Sequence, residues 1–577
     1  MNPTQTDKLC FFEDIVRTIP RLLSLLDRNP NSPTYGCFDR NYWHYKTQTD
    51  FPAATYQHGV LILALCYNNR FAGNIYYRNP DLLRYIKAGM AFWSKIQNRD
   101  GSFNEWYPNE HSYVATAVTT YAISEAWLIL KDEIGNNNPG FTEISGSIGR
   151  AACWLSKNKD EIALNHVAAA VMALHNAYEV CGNARFKEAA QFNIEAMQRY
   201  QHGEGWFAEY GGADIGYLSV SIDFLAKYYQ KAKDAKAAKL LEKALDFMVY
   251  FLHPDGSSGG EYASRNTKYM FLHGLKIASS EYASARWILE KLSDNAGANP
   301  LLMVFEASDD RYFTFFFLGN LLQASLEQGS SQPSGLSLLE FTKIFPGSGL
   351  FSVKNKNFHI IGNFKKGGVF KVFSSDRSAP RLFYGDSGYF GCLAAGAVIS
   401  TQYFNGQVLF NIKNDKTGII IEISQQFCIM DTKLPLVTML IPFRIFNYTL
   451  GHFGGITDYF NRFIKKLVVR KRKVPLFLKR KLEIRDDVIV ISDEVSKKKC
   501  LVISKLGIQN DSTTIYSPTS RYFMSNEVGC NSLKNKELSN AFNERGILSL
   551  SVELNFGGSQ PVTSVRLNGS PLEAEFK

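Results

Sequence analysis

Along the first part of the chain, apolar residues return every three to four positions. The stretches "DIVRTIPRLLSLLDR", "YQHGVLILALCYNN", "LLRYIKAGMAFWSKIQ" and "AAKLLEKALDFMVYFL" each place an apolar stripe at helical spacing. The period changes after "EQGSSQPSGLS", a Gly/Ser/Pro/Gln stretch with the composition of a linker. Beyond it, short alternating or β-branched runs take over: "GVFKVFSS", "VLFNIK", "GIIIEIS", "VIVISDEV", "GILSLSVEL" and "TSVRL". Turn residues separate them at intervals of roughly ten, the pattern of an antiparallel sandwich. The expected organisation is a helical domain over 1–327, a linker over 328–340 and an antiparallel β-sandwich over 341–577.

The helical half also repeats. "NRDGSFNEWY" (98–107), "HGEGWFAEY" (202–210) and "HPDGSSGGEY" (253–262) share an acid-Gly turn followed by an acid-aromatic pair, each ahead of a helix. Weaker versions surround Asp50, Asp160 and Asp310. A period of roughly fifty residues holds two helices and their connections, so five or six helix pairs closing into an (α/α) toroid are expected. Loops that enter the inner helices would then gather at one rim, where each contributes a few groups to a shared mouth. Taken singly, each turn is also ordinary capping chemistry.

Composition and charge narrow the class. The 577 residues are 45% hydrophobic and 14% aromatic, a folded chain of more than one domain. A net charge of +10 suits an anionic partner without choosing among glycan, lipid and nucleic acid. Nine scattered cysteines with no C-x-x-C pair read as free thiols of a reducing compartment. The first residues lack the pattern of a signal peptide, and no stretch of eighteen or more residues looks apolar enough to span a bilayer. A cytoplasmic protein is therefore expected.

Three places carry candidate chemistry. Asn165 and His166 open a helix, where the amide can donate to a carboxylate and the imidazole titrates near neutrality; helix capping and packing would use the same two residues. "EYGGADIGYLSVSIDFL" puts Tyr210 and Tyr217 near the same rim, each a phenol able to move a proton or a plain core tyrosine. "GGEYASRNTKYMFLHG" offers Glu261, Tyr262, Arg265 and His273, with Arg265 either clamping a substrate carboxylate or bracing Glu261.

This ordered set, with a helical toroid joined to a sandwich of this size, resembles the heparinase II/III-like polysaccharide lyases. The resemblance implies cleavage of a uronic-acid polysaccharide by β-elimination. Asn165 and His166 would neutralise the uronate, Tyr217 or Tyr210 would serve as base or acid, and Arg265 would support the carboxylate. Tyr107, Glu110 and His111 would line the subsite, with Glu105 and the rim aromatics Trp106 and Trp206 beside them, and Glu261, Tyr262 and His273 joining from the third repeat. No cofactor is implied. Relatives often take a histidine or a structural metal from the sandwich; here His359 lies in an apolar strand, His452 lacks partner spacing, and no metal-ligand cluster is visible.

Alternatives stay open. A uronyl C5-epimerase needs the same base, acid and clamp. A glycoside hydrolase would need two carboxylates across the cleft, with Glu105, Glu110, Asp214 and Glu261 available. A non-catalytic glycan-binding protein would rely on the rim aromatics. The segment 461–487, "NRFIKKLVVRKRKVPLFLKRKLEIRDD", alternates cations with apolar pairs, either a lysine-protected strand or a patch resting on anionic membrane. With the absent signal peptide, the membrane reading suggests a role in making a bacterial surface polysaccharide. Nucleic acid is not expected, since no recognition motif accompanies the charge.

Overall fold

The structure, a computed structural model, describes residues 8–134, 139–295, 308–375, 382–405, 408–415, 418–430, 437–457, 459–460, 472–498, 501–508, 519, 535–558 and 561–572. Helices in the first part pair as outer then inner: α1 (Phe12–Leu25) with α2 (Gly59–Asn68), α3 (Pro80–Lys95) with α4 (Tyr113–Ile134), and α5 (Pro139–Lys157) with α6 (Leu164–Cys181). They continue as α7 (Ala184–Tyr200) with α8 (Ile215–Ala232), α9 (Ala235–Met248) with α10 (His273–Ala278), and α11 (Ala283–Asp294) with α12 (Leu318–Leu326). Each inner helix packs on the next around a ring, and α12 closes back onto α2. Helices α3, α5, α7, α9 and α11 follow one another outside it. This is the toroid expected from the repeats.

Sequence explains which helix goes where. In outer α9 the buried residues Ala237, Leu240, Leu241, Ala244, Leu245 and Met248 recur at one-face spacing, and Asp234 caps its first turn. Inner α2 is buried from Gly59 through Tyr67, as a helix walled in on every side must be. Helix α4 departs from the expectation that no stretch is apolar enough to cross a membrane: Tyr113–Glu133 is long and apolar enough to do so, yet most of it is buried inside the structure. Its hydroxyls bond back to carbonyls four residues earlier, Thr116 to Ser112 at 2.6 Å and Thr119 to Ala115 at 2.7 Å, so a helix with polar residues can line the toroid.

The glycine turns have a packing function. A Cβ on Gly101 would lie 2.4 Å from the Arg150 carbonyl of α5, and one on Gly205 would lie 2.1 Å from the Lys243 carbonyl of α9. A glutamine four residues earlier repeats the device: Gln97 bonds the carbonyls of Gly101 and Ser147, and Gln201 those of Gly205 and Leu240. Glycine is required because turn and outer helix touch backbone to backbone with φ near +100°.

The last toroid helix ends at Leu326 and the first strand begins at Phe341. Strands β1 (Phe341–Phe345), β2 (Leu350–Lys354), β3 (Phe358–Asn363), β4 (Val369–Ser374) and β5 (Leu382–Asp386) form an antiparallel sheet in chain order. The second sheet holds β6 (Tyr389–Leu393), β7 (Val398–Ser400), β8 (Leu409–Asp415), β9 (Gly418–Ile429), β10 (Arg472–Ile484), β11 (Val488–Lys497), β12 (Ile503–Ile508), β13 (Ile547–Asn555), β14 (Val562–Leu567) and β15 (Ser570–Pro571). Its order is β12-β6-β7-β9-β10-β11-β13-β14-β15, with β8 paired to β9. Helix α13 (Val437–Tyr448) lies in the β9–β10 connection, and α14 (Asn535–Arg545) packs on β12 and β13.

All residues of β3 and β4 are buried, because the first sheet packs on the second with one face and on the toroid with the other. Domain contacts include Ser352 to the Tyr250 carbonyl (2.7 Å), Asn363 to the Tyr262 carbonyl (3.0 Å) and the Glu204 carboxylate on the amides of Gly347 and Ser348. Between the sheets, Arg480 is fully enclosed by Asp386 (2.8 Å), Asp493 (2.7 Å) and the Gly368 carbonyl (2.9 Å).

This placement corrects the membrane expectation for the basic segment. Residues 472–484 are β10, a central strand paired on both sides, with Val474, Leu476, Leu478, Leu482 and Ile484 inside the sandwich. Those side chains are unavailable to lipid; residues 461–471 lie outside the described residues.

Arg480 is the one cation between Asp386 and Asp493, so truncating it leaves two buried carboxylates without their partner, a loss that typically costs about 3–5 kcal/mol. Arg480→Ala should therefore lower the denaturant midpoint of the chain by the equivalent of about 3 kcal/mol or more. A loss below about 1 kcal/mol would show that the cluster is not a stabilising element.

Candidate active site

The loops entering the inner helices carry two groups of interlinked side chains. The first draws on the entries to α6, α8 and α10. Asn165 and His166 sit in the first turn of α6, directly after a short antiparallel bridge between Ala163 and Glu209. That bridge brings the Asn165 amide nitrogen onto the Glu209 carboxylate, in a short hydrogen bond. His166 Nδ1 bonds Asp160 Oδ2 at 2.9 Å. An ionised Asp160 makes Nδ1 the protonated nitrogen and leaves the Nε2 lone pair free to accept a proton.

Asp214 fastens the tyrosine loop. Its buried carboxylate caps α8 through the Tyr217 amide (3.0 Å) and accepts from the Arg265 amide (3.0 Å) and the Thr267 hydroxyl. One side chain thus ties the 252–272 loop to the start of α8. Arg265 lies with its guanidinium carbon 4.0 Å from the centre of the Tyr210 ring and 5.9 Å from that of Tyr217. Tyr210 has φ +51° and keeps 36% of its surface exposed; the Tyr217 hydroxyl is 2.9 Å from Thr519 of the sandwich. Burial raises both phenols, Tyr210 to about 12, against the pull of Arg265. Burial likewise pushes the Glu209 carboxyl up to about 7.

The second group comes from the entries to α2, α4 and α12. Arg311 bonds Glu105 at 2.6 Å and Thr55 at 3.2 Å, and its guanidinium carbon lies 3.9 Å from the Trp106 ring centre. Trp106 is 46% exposed, so its ring can still meet a sugar. Glu110 accepts from the amides of Glu105 and Trp106, both at 2.7 Å, and burial with the nearby Glu105 charge raises its carboxyl to about 7. Beside Asn165 and His166 a cavity of about 30 Å³ is lined by Val114, Phe316 and His58. It has room for about one water and is too small for a sugar ring. Its floor is the buried Asp223–Lys227 pair (2.6 Å), with Lys227 also bonding Gln323.

Asn165, His166, Tyr210, Tyr217 and Arg265 therefore come together, and Trp106, Glu105 and Glu110 form a second group with Arg311. Other expected site residues are held elsewhere. His111 spends Nδ1 on Asp100 (2.7 Å) and Nε2 on the Gly451 carbonyl (3.1 Å), and Tyr107 packs edge-on against Phe443 of α13, so both serve the contact with the sandwich. Trp206 is buried under His202 and bonds Glu204. Glu261 is locked between Lys371 (2.8 Å) and Lys268 (3.5 Å) at the domain interface, which holds its carboxyl down at about 2. The Tyr262 hydroxyl bonds His253 and the Gly259 amide inside the core. His273 turns toward Glu327, past the far end of α12. His359 is a core residue bonded to Ser352.

Sequence reasoning missed Glu209, Arg311 and Thr519 as members of the site. Glu209 had a signal: it is the acid of the second acid-aromatic pair, at the place of Glu105 and Glu261 in the others. Among the described residues no three His, Cys, Asp or Glu side chains form a group that could hold a metal ion.

Residues 75–280 match the sequence profile of the ulvan lyase N-terminal domain. No curated protein sequence matches the chain. Among solved structures, a xanthan lyase from Paenibacillus is 14% identical with a TM-score of 0.49, over 88% of this chain and 47% of its own, so the present chain spans about half of that enzyme. A chondroitin AC lyase from Streptomyces coelicolor A3, solved with chondroitin sulphate, is 11% identical with a TM-score of 0.48, over 88% of this chain and 68% of its own. A heparan sulfate lyase from Pedobacter heparinus is 10% identical with a TM-score of 0.40, over 100% of this chain and 82% of its own. Over residues 75–280, which span most of the helical ring, the chain is thus similar to the ulvan lyase N-terminal domain.

Proposed function

We propose that the chain cleaves a uronate-containing polysaccharide by β-elimination at the rim. The observation that carries this reading is the convergence of an amide (Asn165), an imidazole on a carboxylate (His166–Asp160), two phenols and an arginine beside one mouth. Elimination requires those parts. A uronate carboxylate held by the Asn165 N–H and by Arg265 is neutralised, which acidifies the C5 proton. His166 Nε2 takes that proton, and the electron pair left on C5 is shared with the held carboxylate. The C4–O bond then breaks, a C4=C5 double bond forms, and a phenol hands its proton to the leaving oxygen.

Raised phenols fit the role of acid, since they stay protonated at neutral pH, and the exposed Tyr210 is the better placed of the two. Tyr217 already has its hydroxyl on Thr519. Trp106 would stack on a sugar ring further along the chain.

A hydrolase is less well supported. Glu105 is on Arg311, Glu261 is in a buried ion pair and Asp214 is consumed in capping, which leaves only Glu110 of the four candidate carboxylates. The link to making a surface polysaccharide drew on the signal-peptide reading together with the 461–487 patch, of which 472–484 forms the central strand β10, so only the substrate class is carried forward.

The test is ultraviolet absorbance of the unsaturated uronate while purified protein acts on a panel of acidic polysaccharides. Wild type should give a rising signal, and Asn165→Ala and Tyr210→Phe should each lower kcat by roughly a hundredfold or more. A flat trace across the panel would sink the elimination reading; solvent deuterium appearing at C5 without absorbance would replace it with epimerisation.

Trp106→Ala is expected to act differently. Loss of a stacking face should raise KM several-fold with kcat little changed, because the ring binds ground state and transition state alike. An equal fall in kcat would instead place Trp106 beside the reacting sugar.

A further inference from the structure

Glu209 is a charged group in an enclosed place, 3% exposed, and the proposed chemistry does not use it directly. Its backbone is held from two sides: the Tyr210 amide bonds the Ile162 carbonyl at 3.1 Å, and Ser264 bonds the Glu209 carbonyl at 2.9 Å. The carboxylate therefore meets the Asn165 amide in a fixed geometry, nitrogen toward acid. A side-chain amide has nearly the same shape either way round, and only its hydrogen bonds decide whether nitrogen or oxygen faces a given partner.

We propose that Glu209 is a positioning residue, whose carboxylate holds one N–H of Asn165 and thereby aims the other at the substrate carboxylate. This rests on the elimination reading above and adds to it a specific orienter for the amide. An ionised carboxylate only accepts, so it admits only the nitrogen of Asn165. Once protonated, the acid can donate to the amide oxygen, and the amide is free to turn over and present oxygen to an anionic sugar, which repels it.

The setting makes this sensitive to pH in the neutral range. The charged and titratable groups around Glu209 are Asp160 and His166 at the entry to α6, Tyr210 on its own loop, Asp214 and Tyr217 at the start of α8, and Arg265 and Tyr269 on the 252–272 loop. Burial dominates and raises the carboxyl to about 7, with His166 and Arg265 opposing and Asp214 reinforcing. A raised acid is protonated below that value, so the aimed form of Asn165, and activity with it, gains as pH rises through about 7.

The experiment is the pH dependence of kcat/KM, read by unsaturated-uronate absorbance, for wild type, Glu209→Gln, Asn165→Ala and the double variant, with melting temperatures to confirm folding. Wild type should show an acid limb that releases two protons, one from Glu209 and one from the base. Glu209→Gln should release one and lose kcat by roughly tenfold at pH 8. The double variant should be no slower than Asn165→Ala alone, because Glu209 acts through that amide. A cleaving wild type whose acid limb survives unchanged in Glu209→Gln overturns this inference alone, as do single losses that multiply in the double variant. A wild type that yields no unsaturated product on any glycan overturns the elimination reading and this inference with it.

Discussion

A carboxylate taken out of water must find donors, and Asp214 shows what that requirement builds. Its oxygens are satisfied by the Tyr217 amide, the Arg265 amide and the Thr267 hydroxyl, which belong to two loops that are distant in sequence. Satisfying one buried acid therefore caps α8, seats Tyr217 and delivers Arg265 over the Tyr210 ring. Nearby contacts inherit this frame: Ser264 reaches the Glu209 carbonyl, and the bridge at Glu209 and Ala163 carries the order on to Asn165. The candidate site is organised from below by buried polar groups and the partners they meet.

The same constraint joins the two domains. Glu261 is enclosed by Lys371 of β4 and Lys268, while Lys366 donates to the carbonyls of Glu261 and Ala263, both at 2.6 Å. Buried charges of this kind hold register more than they add stability, since desolvation offsets most of their attraction. They set the sandwich against the 252–272 loop at a defined position, and from there Thr519 reaches the phenol of Tyr217. The sandwich in this sense borders the candidate site, although most of its side chains sit on the toroid.

Much of the fold was legible because it depends on periodicity. A stripe at helical spacing and a change to alternating β-branched runs are local facts, and they foretold helical and antiparallel halves. The three acid-aromatic pairs marked the rim loops for the same reason. They did not reveal their own differences. Glu105 meets Arg311, Glu209 meets Asn165 and Glu261 meets Lys371, and each partner comes from a different part of the chain. His111 looked like a site residue by its neighbours, yet both ring nitrogens are taken by groups that no local pattern announces.

Sequence alone determined the helix pairs, the place where helices give way to strands, and the residue types gathered at the rim. It could do so because burial and capping are decided within a few residues of each position. Only the tertiary structure decided which of three similar acids meets an amide, which pairs with the arginine stacked on Trp106 and which becomes a domain joint. It also turned half of a basic, lipid-like segment into the central strand β10. The physical reason is the same in each case: what a charged side chain does depends on its nearest partner and its access to water, and closing the toroid onto the sandwich sets both.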